Sequence, residues 1–247
     1  MSLAATTILA SLVTGVATAH LHAMFSGRSP LLGPRDWRLP RSSAPTVALT
    51  FDDGPDPNIT PRVLDLLDAH GVRATFFMIG VCVGRAPHLA EEVVARGHAI
   101  ANHSMTHRHD GMLRGRAYWR REISDAERTI EAATGRRTRW FRPPLGHRSI
   151  RQSLAIRDLG YRTVMWSCRS WDATDRNPQR VLARIERARR GRDIVLLHDG
   201  IDPRRPHHAP IVLDVLPLLL QALRDGGTVL TTLPEILGTS PYAADDA

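Results

Sequence analysis

Two carboxylates, Asp52 and Asp53, stand side by side directly before Gly54-Pro55. Holding two acids together at a turn is costly unless a cation or a shared proton compensates. Farther along, His103-Ser-Met-Thr-His107 spaces two imidazoles by four positions, which puts both on one face if the segment is a helical turn. With Asp53 they make a two-histidine, one-carboxylate donor set with open positions, a composition that suits Zn²⁺ and also non-haem Fe²⁺. His109, just beyond, reads as a bystander. Arg142 precedes Pro143-Pro144, and His198 follows the apolar run Ile194 to Leu197.

These residues need elements to position them, and the chain alternates strand-like and helix-like patterns. Strands are expected at Thr46 to Phe51, Ala74 to Ile79, Ala99 to Ala101, Arg139 to Phe141, Thr163 to Trp166, Ile194 to Leu197 and Thr228 to Leu230, each a short apolar run bounded by turn residues. Between them lie helical patterns from Pro61 to Gly71, Pro87 to Arg96, Arg116 to Ala133, Ile150 to Asp158, Pro178 to Arg189 and Ile211 to Arg224, several with Pro at the start or Gly at the end. Such alternation implies α/β architecture with right-handed crossovers, and about seven units suggest a distorted (β/α) barrel of parallel strands in a single domain. In such barrels the C-terminal ends of the strands form the active face, which is where the chemistry-bearing residues fall.

The 247 residues carry 43% hydrophobic side chains, enough for one substantial core and too many for a disordered chain. The formal charge of +8 would suit an acidic partner, but every basic residue is arginine and the excess is scattered. A solvated basic face therefore outranks a specific nucleic-acid partner. Cys82 and Cys168 lie far apart in apolar surroundings, which favours two buried thiols, with a single disulfide as the alternative if the chain is exported. Met1 to Ser26 lacks any Asp, Glu, Arg or Lys and reads as a signal peptide or a membrane anchor. Either places the protein at the cell envelope, although the arginines that follow would hold an anchored domain in the cytoplasm. The expected organisation is this segment over 1–26, a Pro/Arg-rich linker over 27–45, a catalytic domain over 46–238 and a tail over 239–247.

Thr50-Phe51-Asp52-Asp53-Gly54-Pro55, His103-Ser104-Met105-Thr106-His107, Arg142-Pro143-Pro144 and Leu196-Leu197-His198, in this order, resemble the motifs of the polysaccharide deacetylases, metal-dependent hydrolases that include chitooligosaccharide and peptidoglycan deacetylases. The resemblance runs from Thr46 to Leu237. It implies that Asp53, His103 and His107 hold a divalent metal, usually Zn²⁺, that Asp52 is the general base paired with Arg142, and that His198 is the general acid held by Asp172. It further implies an oxyanion contact through the backbone N–H of Leu145, where the family usually has an aromatic residue, and an acetyl-methyl pocket lined by Leu196. The implied reaction is deacetylation of N-acetylhexosamine units in an envelope polysaccharide, a chitooligosaccharide or a lipid-linked sugar. O-acetyl ester cleavage on the same fold and a non-haem iron enzyme are the alternatives. One motif departs from the pattern: where the family has Asp-x-x-Asp-Trp, this chain reads Arg169-Ser-Trp171-Asp172-Ala173. Arg169 thus stands in place of a carboxylate, and Trp171 or Trp166 takes over the aromatic wall of the sugar groove.

Overall fold

The computed structural model describes residues 11–243 apart from positions 12, 16, 20, 23, 27, 28 and 190. Eight strands form one parallel sheet: β1 (Thr46–Asp52), β2 (Thr75–Met78), β3 (Ala99–Asn102), β4 (Trp140–Phe141), β5 (Arg162–Thr163), β6 (Cys168–Arg169), β7 (Arg192–His198) and β8 (Val229–Thr231). The order is β5-β4-β3-β2-β1-β7-β6. β2 and β8 share one edge of β1, pairing with Thr50–Asp52 and Thr46–Ala48 respectively. The sheet curls into a half-barrel left open between β5 and β6, the distorted (β/α) barrel expected from the sequence.

Seven helices cover its outer face, α1 (Thr60–Ala69), α2 (Gly80–Arg85), α3 (Pro87–Ala95), α4 (Arg116–Thr134), α5 (Ile150–Asp158), α6 (Pro178–Ala188) and α7 (Val212–Asp225), and α8 (Leu233–Leu237) packs against the inner face. Their boundaries follow local chemistry. Ser149 and Asn177 cap α5 and α6 by accepting from the third residue on, Thr232 and Glu235 form a capping box on α8, and α4 stops at Gly135 in the left-handed region (φ 65°).

Strand alternation divides the interior from the helical shell. On β1, Val47, Leu49 and Phe51 pack outward with Val63, Leu64 and Leu67 of α1 and Leu216, Leu219 and Leu220 of α7. The inward set is different. Ala48, Phe77, Ala101, Trp140, Val164 and Ile194 form an apolar floor inside the half-barrel, and above it, toward the strand C-termini, the inward positions turn polar with Thr50 and Asp52. Residues that an ordinary barrel would fill with hydrocarbon are thus replaced at one end by a buried charged site.

Helices α2 and α8 fall where the sequence pattern shows none, and two strand features also differ from the sequence expectation. The strand expected at Thr163 to Trp166 ends at Thr163, because the carbonyls of Val164 and Met165 accept from the Arg142 guanidinium instead of a neighbouring strand. β6 was not expected at all. It is two residues long and is held by Ser167 N–H on Ile194 O and Ser170 N–H on Leu196 O. Cys82 and Cys168 are buried free thiols, each pushed up to about 12 by burial, the unreactive form.

Much of the apolar N-terminal stretch lies outside the described residues; among those described, no helix is long and apolar enough to cross a membrane. Where that stretch meets the domain, Met24 O accepts from Arg148 N–H and the Phe25 ring stands edge-on to His147 at 5.0 Å. Within 27–45 the chain packs closely on the domain: Leu32 and Leu39 are buried, Asp36 bridges to Val164 and pairs with Arg162, and the buried Arg148 guanidinium donates to the carbonyls of Ser29, Leu32 and Gly33.

Candidate active site

The strand register supplies the frame. Asp52 at the end of β1 lies opposite His198 at the end of β7, so two titratable groups face the same cleft from the two longest strands. Asp52 is 3% exposed and its Oδ1 accepts from Arg142 Nη1 at 2.7 Å. Arg142 is wholly buried. Its guanidinium also donates to Thr50 Oγ1, Val164 O and Met165 O and lies 3.8 Å from the centre of the Phe77 ring. A surface ion pair is therefore excluded; this cation is built into the floor of the site. Burial pushes the Asp52 carboxyl above its ordinary range while Arg142 opposes the rise. A carboxyl with raised proton affinity that still faces a fixed cation has the character a general base needs.

Beside this pair, Asp53 adopts φ 71° and places Oδ1 3.5 Å from His103 Nε2 and 3.3 Å from His107 Nε2. The imidazole centroids are 4.9 Å apart. The segment that brings the histidines together is not the helical turn their spacing suggested. It is a loop with Ser104 and His107 in the left-handed region (φ 71° and 48°), held by Asn102 Oδ1 on Ser104 N–H and by Ser104 Oγ on His107 N–H. His103 Nδ1 donates to Arg142 O at 2.7 Å, which fixes the tautomer and leaves Nε2 with its lone pair toward Asp53. Burial pushes His103 down to about 3, so it is neutral. His107 Nδ1 stands 3.1 Å from Asp202 Oδ1, whose other oxygen bonds His109 Nε2 at 2.6 Å.

These residues fit a divalent cation. Asp53 Oδ1 is buried with no hydrogen-bond donor among the described residues, and three donor atoms, one from each of Asp53, His103 and His107, converge within 4.8 Å of one another. His103 holds its other nitrogen on the Arg142 carbonyl, and His107 turns its own toward the Asp202 carboxylate 3.1 Å away, the kind of outer partner that orients metal-ligating histidines. Asp202 has no marker in the sequence beyond lying four residues after His198. His109, set aside there as a bystander, helps to hold it.

Across the cleft, His198 Nδ1 donates to Asp172 Oδ1 at 2.8 Å, and its backbone N–H donates to Asp172 Oδ2 at 3.0 Å. Burial alone would lower the imidazole. The fully buried Asp172 carboxylate outweighs it and lifts His198 to about 9. Asp199 was not singled out from sequence. Its Oδ2 accepts from Thr60 Oγ1 at 2.7 Å, its Oδ1 is buried without a donor among the described residues, and a Cβ at Gly54 would overlap its carboxylate. Gly200 lies against the backbone of Asp53 just as tightly. Only glycines allow the β1 and β7 loops to approach so closely.

A family model described as polysaccharide deacetylase matches residues 40–164. A chitooligosaccharide deacetylase of Sinorhizobium fredii is 38% identical over 80% of this chain and 95% of its own. The chain belongs to the polysaccharide deacetylase family. Among solved structures, a peptidoglycan N-acetylglucosamine deacetylase superposes with a TM-score of 0.76 at 26% identity, covering 85% of this chain and 95% of that one. A CE4-family pseudoenzyme from Bacillus anthracis also superposes, at 0.72 and 27%, over 81% of this chain and 68% of its own. Because the fold is shared with a pseudoenzyme, activity has to be argued from the side chains present.

For this deacetylase-family chain the remaining candidate residues lie at or just beyond the C-terminal ends of the strands. Leu145 has φ 57° in the turn after Pro144, next to Gly146, where a Cβ would strike Trp166. Leu196 lies on the same face of β7 as His198 and is 2% exposed, outside the cores that fill the floor and the helical shell. Trp171 (φ 67°) is 43% exposed. Trp166 is half-buried against the floor and lies 5.6 Å from the Arg142 guanidinium.

Proposed function

We propose that the protein is a metal-dependent deacetylase of N-acetylhexosamine units in a glycan. The observation that carries this reading is the pairing of two proton-handling groups across one donor cluster: Asp52 with Arg142 on one side, His198 with Asp172 on the other. Asp53, His103 and His107 would hold the cation. Bound there, a divalent metal such as Zn²⁺ would polarise the acetamide carbonyl and acidify water.

The chain's own groups account for the proton traffic. Asp52, paired with Arg142, takes a proton from the attacking water. His198, kept protonated by Asp172, delivers one to the departing amine nitrogen. The Leu145 backbone N–H donates to the acyl oxygen as charge develops, Leu196 borders the acetyl methyl, and Trp171 offers a ring face to a sugar. The apolar N-terminal stretch and the polymeric substrates named for relatives support a place at the cell envelope.

The test is acetate release from chitooligosaccharides, peptidoglycan and O-acetylated xylan by chelator-treated protein with and without added Zn²⁺. Metal-dependent release from an N-acetylated glycan is expected. Release from xylan alone would assign an esterase, and equal rates in excess chelator would remove the metal from the reading.

A further inference from the structure

Arg169 is a cation in the cleft that the deacetylation chemistry does not use. On β6 it pairs in register with Leu196 of β7. Register partners in a parallel pair point to one face, so Arg169 shares the catalytic face with Leu196 and His198. The carboxylates of Asp52, Asp172 and Asp53 are close enough to act on it electrostatically. Yet among the described residues no carboxylate lies within ion-pair distance of its guanidinium, and its Nε is buried without an acceptor. What holds it is aromatic. Its guanidinium carbon lies 4.0 Å from the centre of the Trp171 ring and 5.8 Å from that of Trp166.

A half-buried guanidinium stacked on indole, with no acid of its own, is in the state that recognises an oxyanion. Stacking orients the planar group while its in-plane N–H donors stay free for a bidentate partner. His147, on the turn that follows Leu145, is close enough to feel the Arg169 charge. Arg205 adds a further positive charge within electrostatic reach, and Trp171, stacked on Arg169, is exposed to solvent. A neutral oligosaccharide would leave the Arg169 guanidinium without an anionic partner in direct contact.

Resting on the deacetylase reading above, we propose that Arg169, stacked on Trp171, is a specificity-determining residue that binds an oxyanion, a carboxylate or a phosphate, carried by the saccharide next to the acetamido group that reacts. The subsite selects acidic saccharides over neutral ones and acts through binding, not through the chemical step.

The experiment compares four saccharides of equal length on Zn²⁺-loaded protein: a neutral N-acetylglucosamine oligomer, one alternating with a hexosamine that bears a lactyl ether carboxylate, the methyl ester of that second compound, and a neutral oligomer with a terminal phosphate. The wild type is expected to favour at least one acidic form over its neutral counterpart by about tenfold in kcat/KM, with the preference shrinking as salt rises. The carboxylate and phosphate arms tell which anion is read. Arg169→Gln should abolish the preference mainly through KM, and Arg169→Lys should restore only part of it, because an ammonium lacks the fork. Equal kcat/KM for acidic and neutral forms in the wild type overturns the proposal, as does a preference that survives in a folded Arg169→Gln protein. If no saccharide releases acetate, the deacetylase reading fails separately. Titrating tryptophan fluorescence with the same four compounds then decides the subsite: tighter binding of an acidic form that depends on Arg169 supports it, and equal affinities overturn it.

Discussion

Replacing Asp172 with Asn isolates the charge that keeps His198 ready to donate. The carboxylate lifts His198 from an ordinary 6.5 to about 9 against the downward pull of burial. The asparagine amide can still accept from the His198 backbone or ring N–H but carries no charge. Without that charge His198 falls back toward its ordinary 6.5, because burial opposes the weaker upward pull of Asp53 and Asp52. A general acid works only while protonated, so the rate falls as pH rises through its pKa. At pH 8 the protonated fraction drops from about 0.9 for a pKa near 9 to about 0.03 for one near 6.5, roughly a thirtyfold loss of turnover, whereas at pH 6 the loss is under about twofold. The assay is kcat against pH from 5.5 to 10 on a chitooligosaccharide, with circular dichroism to confirm the fold. The alkaline limb should move down by about two pH units or more. If it stays in place while the rate falls evenly at every pH, Asp172 orients the ring and the electrostatic argument is wrong.

Three further outcomes are expected. Asp52→Asn should keep stoichiometric Zn²⁺ by metal analysis while losing about 10² to 10⁴ in turnover; near-normal rates would assign the base elsewhere. Asp202→Asn should weaken Zn²⁺ binding by about 10- to 100-fold in a competition titration with a chromophoric chelator, because it loosens the hold on His107, and an unchanged affinity would leave Asp202 no part in holding the metal. Arg142→Met leaves Asp52 buried without its cation, a loss of about 3 to 5 kcal/mol. Thermal unfolding of the metal-free protein should drop by roughly 10 °C, and an unshifted midpoint would contradict the buried pair.

The parts of this fold that sequence revealed are those where pattern and length agree. β1 and β7 are seven residues each with buried interiors, long enough for apolar runs to stand out. β6 is two residues, and its place is set by β7, a tertiary fact with no local trace. The His103 and His107 pair was legible in spacing but not in conformation. Four-residue separation suggested a helical face, whereas two left-handed residues in a loop achieve the convergence. Asp202 and Asp199 escaped for another reason. They follow His198 in a segment without periodicity, and only the folded chain carries Asp202 to His107 and Asp199 to Gly54.

The uneven strand lengths also bear on how this scaffold can change. Asp52 and His198 are locked together by seven paired positions, by Asp199 N–H on Asp52 O, and by glycines that leave no room for a methyl group. Trp166, Arg169 and Trp171 instead hang from the open seam, on or beside strands of two residues. Replacements at that seam disturb few ladder bonds, so the surface that meets the substrate can drift while the distance between acid and base stays fixed. A library confined to positions 166, 169 and 171 should therefore yield folded proteins with altered substrate choice far more often than one at three positions within 48–55.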